Sequence, residues 1–223
     1  MSGKLIVLEG SDGSGKETQA RLLTAELQEH GVSARMVTFP NYAGEASAPV
    51  RMYLAGRFGT HPSDVNAYVA STFYAVDRFA SYREDWGAFY EAGGTIVADR
   101  YVTSNMVHQM TKLEDEAECE AFLAWLDDLE YTKFGLPRPD AVCLLDLPIE
   151  MTEALIVARE GQDGGDIHER DKDYLRRCQA AYARLEMRYG WHRVQCARNG
   201  KLRGKEDIHT EICRIWADIG PKE

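Results

Sequence analysis

The chain has 223 residues, 44% of them hydrophobic and 28% charged, which is enough to bury one large core and makes a single α/β domain over residues 1–223 the expectation. Its 26 basic residues against 36 acidic ones leave a net charge of -10, which disfavours non-specific attraction to nucleic acid or to anionic membranes. No run approaches the roughly 18 consecutive apolar residues of a membrane span, and the first residues enter a strand pattern rather than a leader, so a cytoplasmic location is expected.

In chain order, residues 4–9 ("KLIVLE") form a short apolar run that reads as a buried strand, and it feeds a glycine loop, "GSDGSGKET" (10–18). The helix after it carries Ala20, Leu23 and Leu27 on one stripe and stops at Gly31. Residues 34–39 ("ARMVTF") make the second strand. Pro62 and Ser63 predict the start of a long helix, with Ser63 as its N-cap and Val65, Tyr68, Val69, Phe73, Val76 and Ala80 as its apolar face, closed by Gly93 and Gly94. Three more strands follow at 95–99 ("TIVAD"), 141–147 ("AVCLLDL") and 192–197 ("HRVQCA"), and a last helix carries Ile208, Ile212, Ile215 and Trp216. Strands apolar on both faces with helices between them indicate an α/β fold whose parallel sheet is covered on both sides, with ligands beyond the carboxyl ends of its strands. The polar, glycine-rich stretch 160–171 ("EGQDGGDIHERD") is the candidate for a mobile lid.

The glycine loop is the strongest chemical signal. Gly10, Gly15 and Lys16 have the GxxxxGK spacing of a phosphate loop, in which backbone amides converge on an anion at a helix N-terminus. Gly10, Gly13 and Gly15 permit the tight turn, Ser11, Asp12 and Ser14 lie between them, and Lys16 adds a charge that can follow a transferring phosphoryl group. One position departs from the common pattern: Glu17 stands where a serine or threonine usually holds magnesium, and the hydroxyl is delayed to Thr18. In the first helical turn Glu17 is favourable to the helix dipole and can face solvent, a functional contact being the alternative. Thr18 is then the hydroxyl left to touch phosphate, with magnesium held through water or other carboxylates.

A loop with its threonine one residue late resembles that of the nucleoside monophosphate kinases. The stretches "FPNYAGEASAPVRMYLAGRFG" (39–59), "FYAVDRFAS" (73–81) and "DRYVTSNMVHQ" (99–109) narrow the resemblance to the thymidylate kinases, and it extends from Leu5 to the neighbourhood of Arg170. The resemblance implies a P-loop fold with a five-stranded parallel sheet and a lid. It also implies ATP-dependent phosphorylation of dTMP to dTDP, towards dTTP, with ATP and Mg2+ as cofactors. Nucleotides are then the partners, with neither nucleic acid nor membrane, and a homodimer forms through helices like that near 64–80.

The same resemblance assigns roles. Arg100 would hold the acceptor monophosphate, and Asp99 would help to organise magnesium through water. "DRY" falls where the third strand ends, beside the phosphate loop, and a guanidinium there can grip phosphate with two nitrogens. Tyr74 would stack on thymine while Arg78, one turn on, hydrogen-bonds its ring carbonyl; an i, i+4 pair points from one helix face, although Tyr74 alone also reads as a half-buried core aromatic. Asp12 matches a carboxylate that meets the sugar 3'-hydroxyl. Pro40, Ser104, Asn105 and Gln109 complete the acceptor set, Ser104 being readable equally as a helix cap.

Three positions depart from the family pattern. Tyr42 stands where many members have an arginine for the acceptor phosphate, and His108 stands where a tyrosine or phenylalanine excludes ribonucleotides by bulk. Gly13 replaces an arginine found after the loop aspartate in some members; those without it use lid arginines, which makes Arg159 and Arg170 the candidates to close on the donor phosphates. Pairing with Glu160 or Glu169 is the plainer reading of both.

Two other functions fit parts of the pattern. A deoxynucleoside kinase needs a carboxylate base near the end of the second strand, where only Glu45 is available. A non-catalytic nucleotide-binding protein would need no intact Lys16, Asp99 and Arg100. The basic residues between 177 and 205 read as solvated surface, and His168 with Glu169 lacks a metal-ligand constellation. Cys119, Cys143, Cys178, Cys196 and Cys213 are scattered without a CxxC pair and read as reduced structural thiols.

Overall fold

Alternation along the first strand sets the layering. In β1 (Lys4–Gly10) the side chains of Leu5 and Val7 enter one apolar cluster and those of Ile6 and Leu8 another on the opposite face, and all four are fully buried. The computed structural model describes residues 2–160, 167–168 and 171–219. After β1 come α1 (Lys16–Glu29), β2 (Ala34–Thr38), α2 (Ala48–Leu54), α3 (Ala67–Ser81), α4 (Gly87–Glu91), β3 (Thr95–Asp99) and α5 (Val102–Met110). They are followed by α6 (Glu116–Asp127), β4 (Ala141–Asp146), α7 (Ile149–Glu160), α8 (Lys172–Tyr189), β5 (His192–Gln195), β6 (Ala197–Arg198), β7 (Lys201–Leu202) and α9 (Lys205–Ile219).

Five strands pair in the order β2-β3-β1-β4-β5, all parallel, as the sequence predicts. Leu23 and Leu27 of α1 and Ile208 and Ile212 of α9 cover one face, against Ile6, Leu8, Val97, Cys143 and Leu145. The other face is covered by α5, α6 and α8, through Val102, Met106, Phe122, Leu123 and Leu185. The last strand is shorter than its apolar run suggests. Pairing with β4 ends at Gln195, and residues 197–202 turn back as a two-stranded antiparallel ribbon. Asn199 and Gly200 both have positive φ (52° and 71°), as a two-residue Asn-Gly turn requires.

The long helix differs from its prediction in two ways. Ser63 lies in a short turn, Pro62–Asp64, and the cap is Asn66, whose side chain accepts from the amide of Val69 at 2.9 Å. The predicted apolar face is split: Tyr68, Val69 and Val76, with Phe79 beside them, are 38–46% exposed, whereas Val65 is buried and Phe73 and Ala80 are half-buried, and Ser71, Asp77 and Arg78 are buried as well. Periodicity identifies a stripe but not what covers it, and here the buried side of the helix mixes Ala67, Ala70 and Ala75 with Ser71, Asp77 and Arg78, of which Arg78 borders the cleft described below. After α3 the helix continues through a π turn at Tyr82–Trp86 into α4.

All five cysteines are unbridged. Among the described residues no helix is long and apolar enough to cross a membrane. Of the predicted lid, residues 161–166, 169 and 170 lie outside the described residues.

Candidate active site

A cleft of about 570 Å³ opens where β1 and β3 end, between the glycine loop, α3 and α5. Gly10 has φ 146°, and a Cβ there would meet the carbonyl oxygen of Leu145 at 2.6 Å, so only glycine lets the strand turn into the loop. Gly15, at φ 90°, caps α1 and leaves the helix N-terminus open to the cleft.

Lys16 lies 7% exposed at that terminus, its Nζ donating to the carbonyl of Ser11 at 2.8 Å and standing 3.8 Å from Asp12. Arg100 faces it from the end of β3, with Nη2 2.6 Å from the same Asp12 carboxylate. Desolvation opposes the charge on Asp12, but Arg100 and Lys16 beside it hold the carboxyl well below the usual range. For Lys16, burial first and the charge of Arg100 second bring the ammonium down to about 8. Two cations thus crowd one carboxylate.

Arg100 itself has φ 66°, a left-handed conformation that costs a non-glycine residue about 1–2 kcal/mol. Its amide still donates to the carbonyl of Leu8, and its Nη1 reaches Glu9 (3.3 Å) and Ser104 Oγ (3.0 Å). Glu9 is fully buried and also accepts from Thr103 Oγ1, Ser104 Oγ, the hydroxyl of Tyr182 and the amide of Gly10. Ser104 is the third residue of α5 rather than its cap, so the alternative reading of its hydroxyl as an N-cap fails.

The acceptor candidates gather as the motifs suggest: Pro40, Tyr42, Tyr74, Arg78, Asp99, Arg100, Ser104, Asn105, His108 and Gln109 all line the cleft with Asp12, Gly13, Gly15, Lys16, Glu17 and Thr18. Gly10, Ser11 and Ser14 are not among the residues that line it. Glu17 is an exposed partner of Arg21, at 3.1 Å, on the cleft's rim. Arg78 and Tyr74 share a helix face, but Arg78 is already engaged: its Nε and Nη2 each lie 2.6 Å from the carboxylate of Glu130, which is fully buried. Asn105 donates to the same Glu130 and to the carbonyl of Ser71, both at 3.1 Å. Buried polar atoms nearly always find partners, yet Asp99 Oδ1, Asn105 Oδ1 and Gln109 Oε1 have none among the described residues, and all three residues border the cleft.

His108 lies parallel to His168, with ring centroids 5.8 Å apart, and is hydrogen-bonded to the hydroxyl of Tyr174 at 2.9 Å. Burial, then the charge of Arg100, holds His108 well below its ordinary value; burial, then Lys112, brings His168 down to about 3. Burial thus favours the neutral form of both rings. The side chain of Arg159 and the whole of Arg170 lie outside the described residues.

Sequence reasoning missed Glu9, Glu130, His168 and Tyr182. Glu9 was detectable: alternation puts it on the inward face with Leu5 and Val7, where an acid must be partnered. Glu130 sits in the acidic run "DDLEYTK", which carries no sign that one member is buried.

Two anion-binding devices facing one another across a single cleft suit a kinase whose donor and acceptor both carry phosphate, and with this sheet order they define a P-loop kinase of the nucleoside monophosphate class. The family model described as thymidylate kinase matches residues 8–212. Thymidylate kinase of Mycobacterium tuberculosis (strain H37Rv) is 32% identical over 191 residues, 84% of this chain and 87% of the relative. A probable thymidylate kinase of Pyrococcus horikoshii is 29% identical over 217 residues, 96% of both chains. Among solved structures, thymidylate kinase of Candida albicans superposes with a TM-score of 0.71 at 17% identity, covering 97% of this chain and 92% of that one. That of Ehrlichia chaffeensis gives 0.67 at 18%, covering 96% and 99%. The chain belongs to the thymidylate kinase family.

Proposed function

We propose that one cleft takes ATP on the glycine-loop side and dTMP on the α3–α5 side and transfers the terminal phosphoryl group between them, giving ADP and dTDP. The observation that carries this reading is the Lys16–Asp12–Arg100 cluster, which sets two cations within 3.8 Å of one carboxylate where the half-sites meet. The attacking phosphate oxygen is already ionised, so no general base is required and catalysis is positioning plus charge neutralisation. Lys16 and the loop amides hold donor phosphates, and Arg100 holds the acceptor's. Asp99, with its unpartnered buried Oδ1 beside Lys16, suits a water of a hydrated Mg2+, which would neutralise phosphate charge when bound. Arg159, near the end of α7, is the candidate for the donor phosphates.

On the acceptor side, Tyr74 stacks on the base, Arg78 donates to a ring carbonyl, and the free oxygens of Asn105 and Gln109 await a ring N–H. His108 borders the sugar 2'-carbon, and Tyr42, 53% exposed at the mouth, offers a neutral hydroxyl where other members place a cation. Glu45 is exposed and absent from the cleft lining, which leaves a nucleoside-kinase reading without its base. ADP release measured across a panel of monophosphates, with and without magnesium, tests the assignment. dTMP should react fastest, ribothymidine monophosphate poorly and thymidine not at all; turnover of thymidine in preference to dTMP would overturn the reading. The outward stripe of Tyr68, Val69, Val76 and Phe79 supports a homodimer, against which a monomeric mass in solution would count.

The lowered Lys16 sets a pH dependence. Bound phosphate favours the charged ammonium, so its bound value lies above the unliganded value of about 8 and binding takes up a proton above that pH. ATP affinity should be flat below about pH 7 and weaken as pH rises through 8, approaching ten-fold per unit. Titration calorimetry at pH 8.5 in buffers of different ionisation enthalpy should register the proton uptake.

A further inference from the structure

We infer that Glu9 is a positioning residue for Arg100, a fixed anchor that keeps the guanidinium in place while Asp12 releases it to the acceptor phosphate; this rests on the reading of Arg100 given above. Two carboxylates hold the arginine, and their surroundings differ. Asp12 is about a third exposed on a glycine loop, so an incoming anion can replace it at Nη2. Glu9 is fully buried, 3.3 Å from Nη1, and cannot follow.

Four groups besides Arg100 secure Glu9. Thr103 Oγ1 and Ser104 Oγ donate to it at 2.8 Å from the first turn of α5, where the helix dipole also favours an anion. The hydroxyl of Tyr182 donates at 3.1 Å from α8, and the amide of Gly10 at 3.1 Å ties it to the loop. One carboxylate thereby joins the central strand, the phosphate loop, α5 and α8 around the arginine. Its charge lies behind the acceptor phosphate and repels it, so Glu9 does not serve affinity. What it supplies is geometry, and it counters the freedom of a side chain whose backbone is already in an uncommon conformation.

Glu9→Gln keeps the shape and removes the charge. Turnover should fall about ten-fold or more, while the Kd for dTMP, read by calorimetry, should change less than about three-fold because the lost repulsion offsets the looser grip. The decisive measurement is a double-mutant cycle with Arg100→Ala: if Glu9 acts through the arginine, E9Q costs nothing further in the R100A background. Unchanged turnover in E9Q, or an equal loss in both backgrounds, would overturn the inference and leave Glu9 a structural acid. Thr103→Val, which removes one buried donor to Glu9, takes the place of E9Q in the same cycle if E9Q does not fold. Full activity of R100A alone would instead sink the reading of Arg100, so the two failures are separable.

Discussion

Arg100→Ala should lower turnover by about three orders of magnitude, the scale on which arginines that neutralise a transferring phosphoryl group act. The loss has two sources that point the same way. In the proposed assignment the guanidinium, 2.6 Å from Asp12, meets the acceptor phosphate, and on the same side Tyr42 supplies no second cation. Its removal also strips Glu9 and Asp12 of their shared partner, leaving two carboxylates to repel the phosphate. ADP release at saturating ATP and increasing dTMP checks this, with a denaturation midpoint to show that the fold persists. A rate equal to that of the parent enzyme would remove Arg100 from the mechanism.

Glu130→Ala should destabilise the protein by about 3–5 kcal/mol, because it abandons a guanidinium that is 2% exposed. Urea denaturation measures the loss. The same variant should raise the KM for dTMP and leave that for ATP unmoved, since Glu130 orients Arg78 and Asn105 and touches nothing on the glycine loop. Replacing both partners, as in Arg78→Met with Glu130→Leu, should restore most of the stability and none of the dTMP recognition. A KM for dTMP unaffected by E130A would show that Arg78 holds its place without this acid.

How much could be read in advance follows from the range of the interactions. The phosphate loop and the arginine after β3 are local arrangements, in which spacing along the chain fixes spacing in three dimensions, and both lie where the motifs imply. The sheet was legible because buried strands are apolar on both faces. The outward stripe of α3 was not, because a 3.6-residue apolar pattern does not distinguish a core face from an exposed one. Glu130 comes to Arg78 from 52 residues away, and no local feature marks it. The ribbon after β5 does carry a local sign, the Asn-Gly turn at 199–200, set within a stretch dominated by charge.

Because α3 carries Asp77 and Arg78 on one side and Tyr68, Val69 and Val76 on the other, anything that seats on its outer side bears on the helix that positions the guanidinium. A displacement of about 1 Å at the guanidinium is enough to disturb a contact that depends on alignment. Substitutions at Tyr68, Val69 and Val76, none of which lines the cleft, should therefore alter which bases are accepted.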